Sequence, residues 1–352
     1  MIAKHIQTAL IGAFCCLIAA CSTPRQYEAE LPEELLQKEQ TEQFKQALQY
    51  QLKQRIRLVE IAHPLLIHNV ERCGKRTRYS AGVFLHKISE YPKPQLKAVK
   101  QLYGSEDQLK VLHVLDTGAS SEKLFAGDQI LLINKHPVPD TSEAAIDLLK
   151  NEMQSGQTLK LQVMRNKQKL EIAIQPDHLC DYPIQLSQSD AVNGYADGSQ
   201  IIITSGLMRF ANKDNQLALI IAHELAHNTL HHIPQRLSNT AWGGLIDIIL
   251  NTSGIPSPFV AAGLGANLYS QSYETEADLE GLELMYNAGF ELEGLELFWR
   301  DMAMIHPAII THNQSTSHPT TVERAIRIRK EIAELTKDSR SIDTTSPPPY
   351  EK

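Results

Sequence analysis

Two imidazoles and a carboxylate fall within five residues in His223-Glu224-Leu225-Ala226-His227. The stretch from Asn215 to His232 reads as one helix. Leu217, Leu219, Ile220, Ile221 and Leu225 supply its core residues, Asp214 or Asn215 can cap it, and Pro234 stops it. Residues four apart on a helix differ by only ~40° around the axis, so the rings of His223 and His227 face one point. Two neutral imidazoles so placed are metal ligands, for zinc above all. Glu224 is turned ~100° from His223, beside such an ion rather than under it, where a general base can take a proton from a metal-activated water. The chemistry implied is hydrolysis. The rest of the helix is strongly apolar, so these polar groups would sit in a core, where a merely solvated face has no reason to be.

A third ligand must come from elsewhere. Ten residues after His223 stands Ile233, which rules out a further histidine there. Downstream, Tyr273-Glu274-Thr275-Glu276-Ala277-Asp278 opens another helix, and Glu274 and Asp278 share a face. One carboxylate can bind the metal while the other accepts a hydrogen bond from a ligand histidine. Glu276 competes on chemistry alone. His-Glu-x-x-His with Glu-x-x-Ala-Asp, followed by Gly281 and Ala288-Gly289, resembles the M48 metallopeptidases. The resemblance runs from about Asn193 to Arg324 and includes Ser205-Gly206-Leu207 and His318-Pro319. It implies one zinc ion per chain on His223, His227 and Glu274, with Glu224 as general base and Asp278 behind a ligand. It also implies a place near the metal for His318, as a gate or as a stabiliser of the oxyanion. His231 and His232 read as the solvated end of the metal helix, favourable there through the helix dipole alone.

The segment before this helix is strand-like at Gln200-Ile-Ile-Ile-Thr204 and is expected to be an edge strand that pairs with extended substrate. After it, residues 241–269 are apolar and Gly-rich, but Asp247, Asn251, Pro256 and Pro258 argue against a continuous membrane span. They read as two short helices and a loop, serving as a lid or a membrane-touching surface. Upstream, residues 75–176 alternate as strands around a helical Ser142–Met153. Their Gly127-Asp128-Gln129-Ile130-Leu131-Leu132-Ile133-Asn134 resembles a PDZ domain. The resemblance implies a peptide ligand added to a sheet edge, with Gly82-Val83-Phe84-Leu85 as a weakly matched carboxylate loop. Leu52, Ile56, Leu58, Val59 and Ile61 mark an earlier helix with one apolar face.

Lys4 and an apolar run from Ala9 to Ala20 read as a signal sequence, too short for a membrane span. Small residues before Cys21 resemble a bacterial lipobox. This implies a lipidated Cys21 and, with Ser22 next, an outer-membrane anchor facing the periplasm. Cys15 and Cys16 leave with the signal, so Cys73 and Cys180 remain, and in an oxidising compartment they are expected to pair. A formal net charge of −7 without a basic stripe excludes a nucleic-acid footprint.

The organisation expected is a lipoprotein signal (1–20), a tether and N-terminal helix (21–74), a PDZ-like domain (75–176), a metallopeptidase domain (177–335) and a disordered tail (336–352). The fold class is α+β and multidomain, a mostly helical zincin domain plus a small β-rich PDZ-like domain. The function expected is zinc-dependent endoproteolysis of misfolded or unassembled envelope proteins, a quality-control role. A non-proteolytic envelope chaperone or PDZ adaptor with structural zinc is the alternative, though structural zinc has no need of Glu224.

Overall fold

A computed structural model describes residues 31–232, 271–311 and 320–343, the last with side chains through residue 337. Cys21, the 241–269 segment and His318 lie outside the described residues. The chain divides into two compact units, residues 1–43 and 44–352. Of the first, the described part is the start of helix α1 (Glu33–His68), with Glu33 and Glu34 at its positive end. Bonds one turn apart knit it, such as Thr41 Oγ1 to the Gln37 carbonyl at 2.8 Å.

The second unit contains two apolar cores. Leu58, Ile61, Ala62, Leu65 and Leu66 of α1 are buried at helical spacing in the larger one. Of the apolar face expected, Leu52, Ile56 and Val59 are only partly buried, so the burial lies further toward the C-terminus. After a short 3-10 turn at Val70–Cys73, strand β1 (Thr77–Ser80) pairs antiparallel with β8 (Asp177–Cys180). Thr77 stands opposite Cys180, and a disulfide joins Cys73 to Cys180 with Cα atoms 5.6 Å apart.

Between these two strands the chain builds the smaller core. Strands β2 (Val83–His86), β3 (Lys110–Val114), β4 (Gln129–Ile133), β6 (Leu159–Arg165) and β7 (Gln168–Ile174) form a sheet in the order β2-β3-β4-β6-β7, with β5 (His136–Pro137) on β4. Alternate residues point to one face, so Leu159, Leu161 and Val163 of β6 are all buried. Helix α2 (Leu96–Tyr103) lies between β2 and β3 in sequence, and α3 (Ser142–Met153) packs on β2 and β4. Thr141 caps α3 by accepting the Ala144 N–H at 3.2 Å. The sheet is thus entered and left through one two-stranded stem. Two further ties hold it to α1. Glu60 accepts the Asp116 N–H and lies 2.8 Å from His113 Nε2, and His63 Nδ1 lies 3.1 Å from Thr117 Oγ1.

Beyond the stem, β9 (Ile184–Ser187), β10 (Gly194–Ala196) and β11 (Ile201–Thr204) form a three-stranded sheet. Here the structure corrects an expectation. The 200–204 strand is central, antiparallel to β10 and parallel to β9, and all four residues of β11 are buried. Its continuous apolar run fits a strand covered on both faces, and the edge beside the helix that carries His223 and His227 falls to β10.

Helices α4 (Ser205–Phe210), α5 (Asp214–Thr229), α6 (Gln271–Asn287), α7 (Glu296–Ile305) and α8 (Thr321–Asp343) complete the described fold. They close the larger core with Leu217, Ile221 and Leu225 of α5, Ala277 and Leu282 of α6, Phe298 of α7 and Ile328 of α8. Helix α8 corrects a second expectation, since the chain stays helical through Asp343 rather than loosening at Thr336. Among the described residues no helix is long and apolar enough to cross a membrane.

Candidate metal centre

Helix α5 carries the first two candidate ligands. Its N-cap is Lys213, with Asp214 the first helical residue, so neither Asp214 nor Asn215 caps it. Asp214 instead binds Arg57 Nε at 2.9 Å and adds a favourable negative charge to the first turn. The helix also ends earlier than expected, at Thr229. His231 adopts a left-handed φ of 56°, its N–H reaches the Asn228 carbonyl, and the His232 N–H reaches the His227 carbonyl at 3.0 Å. This is a Schellman turn with histidine where glycine is usual, and it folds the chain back over the helix end.

Helix α6 brings the carboxylates. The Nε2 atoms of His223 and His227 are 3.2 Å apart, Glu274 Oε2 is 3.5 Å from His223 Nε2, and Glu274 Oε1 is 3.4 Å from His227 Nε2. A tetrahedral zinc ion with ligands at ~2.0–2.2 Å has ligand–ligand edges of ~3.3–3.6 Å. The three side chains fit that ion as they stand. They are the one such trio of His, Cys, Asp or Glu among the described residues, and all three are buried. Glu276 is 57% exposed and turned elsewhere, so Glu274 alone of the two meets the imidazoles.

Two small residues permit the assembly. Gly281 lets α6 approach the backbone of α5 at His223. Gly194 on edge strand β10 lets that strand pass beside Glu224, since a Cβ there would stand 3.4 Å from Glu224 Cγ and 3.0 Å from Ile220 Cγ2. Glu224 is buried on α5 next to this edge. Beside it, burial pushes the Tyr195 phenol up. A hydrogen bond with Asn193 opposes this and the Glu224 charge adds to it, so Tyr195 is a neutral donor at neutral pH.

Behind His223, Asp278 Oδ1 lies 3.0 Å from Nδ1, as its hydrogen-bond acceptor. Arg324 of α8 grips the same carboxylate, Nε to Oδ2 at 2.8 Å and Nη2 to Oδ1 at 2.5 Å, and stacks 3.5 Å over the Trp299 ring. Arg324 Nη2 also comes within 3.3 Å of His223 Nδ1, but two donors cannot bond, and the guanidinium belongs to Asp278. Burial and the Arg324 charge oppose protonation of His223. The bonds to Asp278 and Glu274 outweigh them and push it up to about 9. Burial pushes His227 down to about 4.

His232, expected in solvent, is buried. Its Nδ1 lies 3.0 Å from His227 Nδ1, its Nε2 lies 3.3 Å from Glu276 Oε2, and its ring stacks on Tyr273 at 4.5 Å. His232 and Arg324 are the residues at the centre whose part the motif did not reveal. Only a recognised turn at His231 could have signalled the first, and nothing in the spacing signals the second.

Residues 157–332, half of the chain, match the family described as peptidase family M48, and residues 97–175 match the PDZ domain. The chain belongs to peptidase family M48, a family of metallopeptidases. It is 28% identical over 133 residues to the beta-barrel assembly-enhancing protease of Yersinia pestis, covering 34% of this chain and 27% of that one. It is 26% identical over 141 residues to the mitochondrial metalloendopeptidase OMA1 of Saccharomyces cerevisiae, covering 38% and 41%. The match thus spans about a quarter of the length of the first relative. The solved HtrA3 PDZ domain bound to a phage-derived ligand aligns with 29% of this chain and 88% of its own at 20% identity and a TM-score of 0.22.

Proposed function

We propose that this chain is a zinc-dependent endopeptidase of the bacterial envelope, acting on misfolded or unassembled proteins. The observation that carries the reading is the convergence of His223, His227 and Glu274 with Glu224 buried alongside. Similarity to a beta-barrel assembly-enhancing protease supports an envelope substrate, and membership of a metallopeptidase family supports zinc.

His223 and His227 would hold the ion through Nε2, and Glu274 through its carboxylate, so that two neutral ligands and one anionic one share it. Zinc, when bound in such a site, polarises a carbonyl and lowers the pKa of water toward ~7. The Glu224 carboxylate takes a proton from the attacking water as the new C–O bond forms. It returns that proton to the departing amide nitrogen as the C–N bond breaks. His318 would gate the site or stabilise the oxygen that gains charge. The side of β10 that pairs with no strand among the described residues would take an extended substrate strand past Glu224.

The PDZ region would recruit polypeptide by adding a strand to β2, the edge of its sheet. A lipid on Cys21 would hold the enzyme at the outer membrane, facing the periplasm. Cys21→Ser should then release it from membranes.

Digestion of unfolded casein by the full purified chain tests the reading. Cleavage at internal bonds is expected, abolished by a zinc chelator and restored by stoichiometric zinc. Cleavage indifferent to the chelator would contradict it, as would a zinc-loaded, folded chain inert toward every unfolded polypeptide tried.

A further inference from the structure

We propose that His232, anchored by Glu276, is the positioning residue that aims the His227 imidazole at the metal. The inference rests on reading His227 as a ligand. A ligand imidazole must offer one nitrogen as a lone pair, so its other nitrogen must carry the proton, and whatever accepts that proton fixes both tautomer and ring angle. For His223 the acceptor is Asp278. For His227 the atom found at Nδ1, at 3.0 Å, is His232 Nδ1.

The proton count along this chain closes without a charged imidazole. Nε2 of His227 faces the metal position, so its proton sits on Nδ1 and is donated to His232 Nδ1. That leaves the His232 proton on Nε2, which donates to Glu276 Oε2 at 3.3 Å. Glu276 therefore sets the tautomer of His232, and His232 sets that of His227. Stacking on Tyr273, 12° from parallel, holds the His232 ring in the plane this requires. Tyr273 directly precedes Glu274, so the same contact ties the third candidate ligand to the second.

Backbone geometry explains how the chain places a histidine there. In a Schellman turn the residue after the left-handed one packs over the helix position it bonds, usually with an apolar pair. Here that pair is His232 over His227. Histidine in the left-handed position at 231 carries a conformational cost that glycine would not. The two metal imidazoles are thus braced differently. His223 has a buried carboxylate locked by Arg324, and His227 has a histidine locked by a carboxylate at the rim.

The test is zinc affinity, measured by competition with a chromophoric chelator, which needs no cleavage assay. His232→Phe keeps a ring to stack on Tyr273 and removes the acceptor, and should weaken zinc about 10–100-fold. His232→Gln, whose amide oxygen can accept from His227 Nδ1, should recover most of that loss. Glu276→Ala, at an exposed position, should weaken zinc in the same direction by less, and it carries the test if His232→Phe does not fold. His231→Gly should leave affinity unchanged, because the turn is kept. Zinc affinity in both His232→Phe and Glu276→Ala equal to that of the parent would overturn the proposal, as would equal losses in Phe and Gln. His227→Ala separates the two readings. If it loses zinc while the His232 variants do not, only this inference fails. If it binds zinc normally, the ligand assignment itself fails.

Discussion

Gly281 lies against the backbone of His223, where a Cβ would stand 3.1 Å from the His223 nitrogen and 3.3 Å from the Ala222 carbonyl carbon. The neighbouring atoms are main chain of a buried helix and cannot swing aside. Gly281→Ala should therefore shift α6 outward and carry Glu274 with it. A destabilisation of ~1–3 kcal/mol is expected from overpacking, partly offset by the better helix propensity of alanine. Urea unfolding and zinc titration of this variant check both effects. Unchanged stability together with unchanged zinc affinity would show that the helices have room to spare.

Arg324 neutralises Asp278 where water cannot. Arg324→Met leaves a buried carboxylate without its cation, and a loss of ~3–5 kcal/mol is expected. The pH dependence has a definite sign. Burial pushes Asp278 up, but the Arg324 charge and the bond from His223 bring it down to about 2. A depressed carboxylate contributes stability that is present above its unfolded value of ~3.9 and is lost as pH falls through the folded value. The Asp278 contribution is therefore lost in acid in the parent, whereas protonation relieves the unpaired buried carboxylate in Arg324→Met, so the stability gap between the two, measured by urea unfolding, should narrow as pH falls from about 7 toward about 3. A gap that does not change with pH would contradict the pairing.

The disulfide closes a separation of 107 residues, around the whole PDZ region. In the loop-entropy description its removal costs up to ~4.7 kcal/mol. The double variant Cys73→Ala, Cys180→Ala should melt lower than the oxidised parent, and reduction of the parent should move its melting point toward that of the variant. Equal melting points in all three states would refute a stabilising bond.

The candidate ligand pair His223 and His227 was legible in the sequence because helical geometry follows from spacing alone, and the apolar residues around it announced burial. Glu274 was legible only with the help of a family resemblance, since chemistry left Glu276 open. The structure separates the two by direction, one carboxylate facing inward and the other at the rim. The order of β10, β11 and β9 was not legible. A four-residue apolar strand can be central or at an edge, and its partners are set by chain segments far from it. His232 was misread because the turn that buries it uses histidine instead of glycine at 231, and Arg324 had no reading because its partner Asp278 is 46 residues away. The end of α8 was placed too early, since polar residues past Thr336 continue the helix without an apolar face to mark it.

The central claim is that Glu224 moves protons while Glu274 holds the metal. The most direct measurement is zinc content and casein cleavage, side by side, in Glu224→Gln, Asp278→Asn and Glu274→Gln. Glu224→Gln keeps the shape and removes only the base, so zinc should stay near one per chain while cleavage falls by at least ~10²–10⁴-fold. Asp278→Asn should lose about 10–100-fold in zinc affinity or activity. Glu274→Gln should retain least zinc, because an amide offsets the charge of the ion poorly. Full cleavage by zinc-loaded Glu224→Gln would contradict the account at its centre, and full zinc in Glu274→Gln with loss of zinc in Glu276→Gln would contradict the choice of ligand.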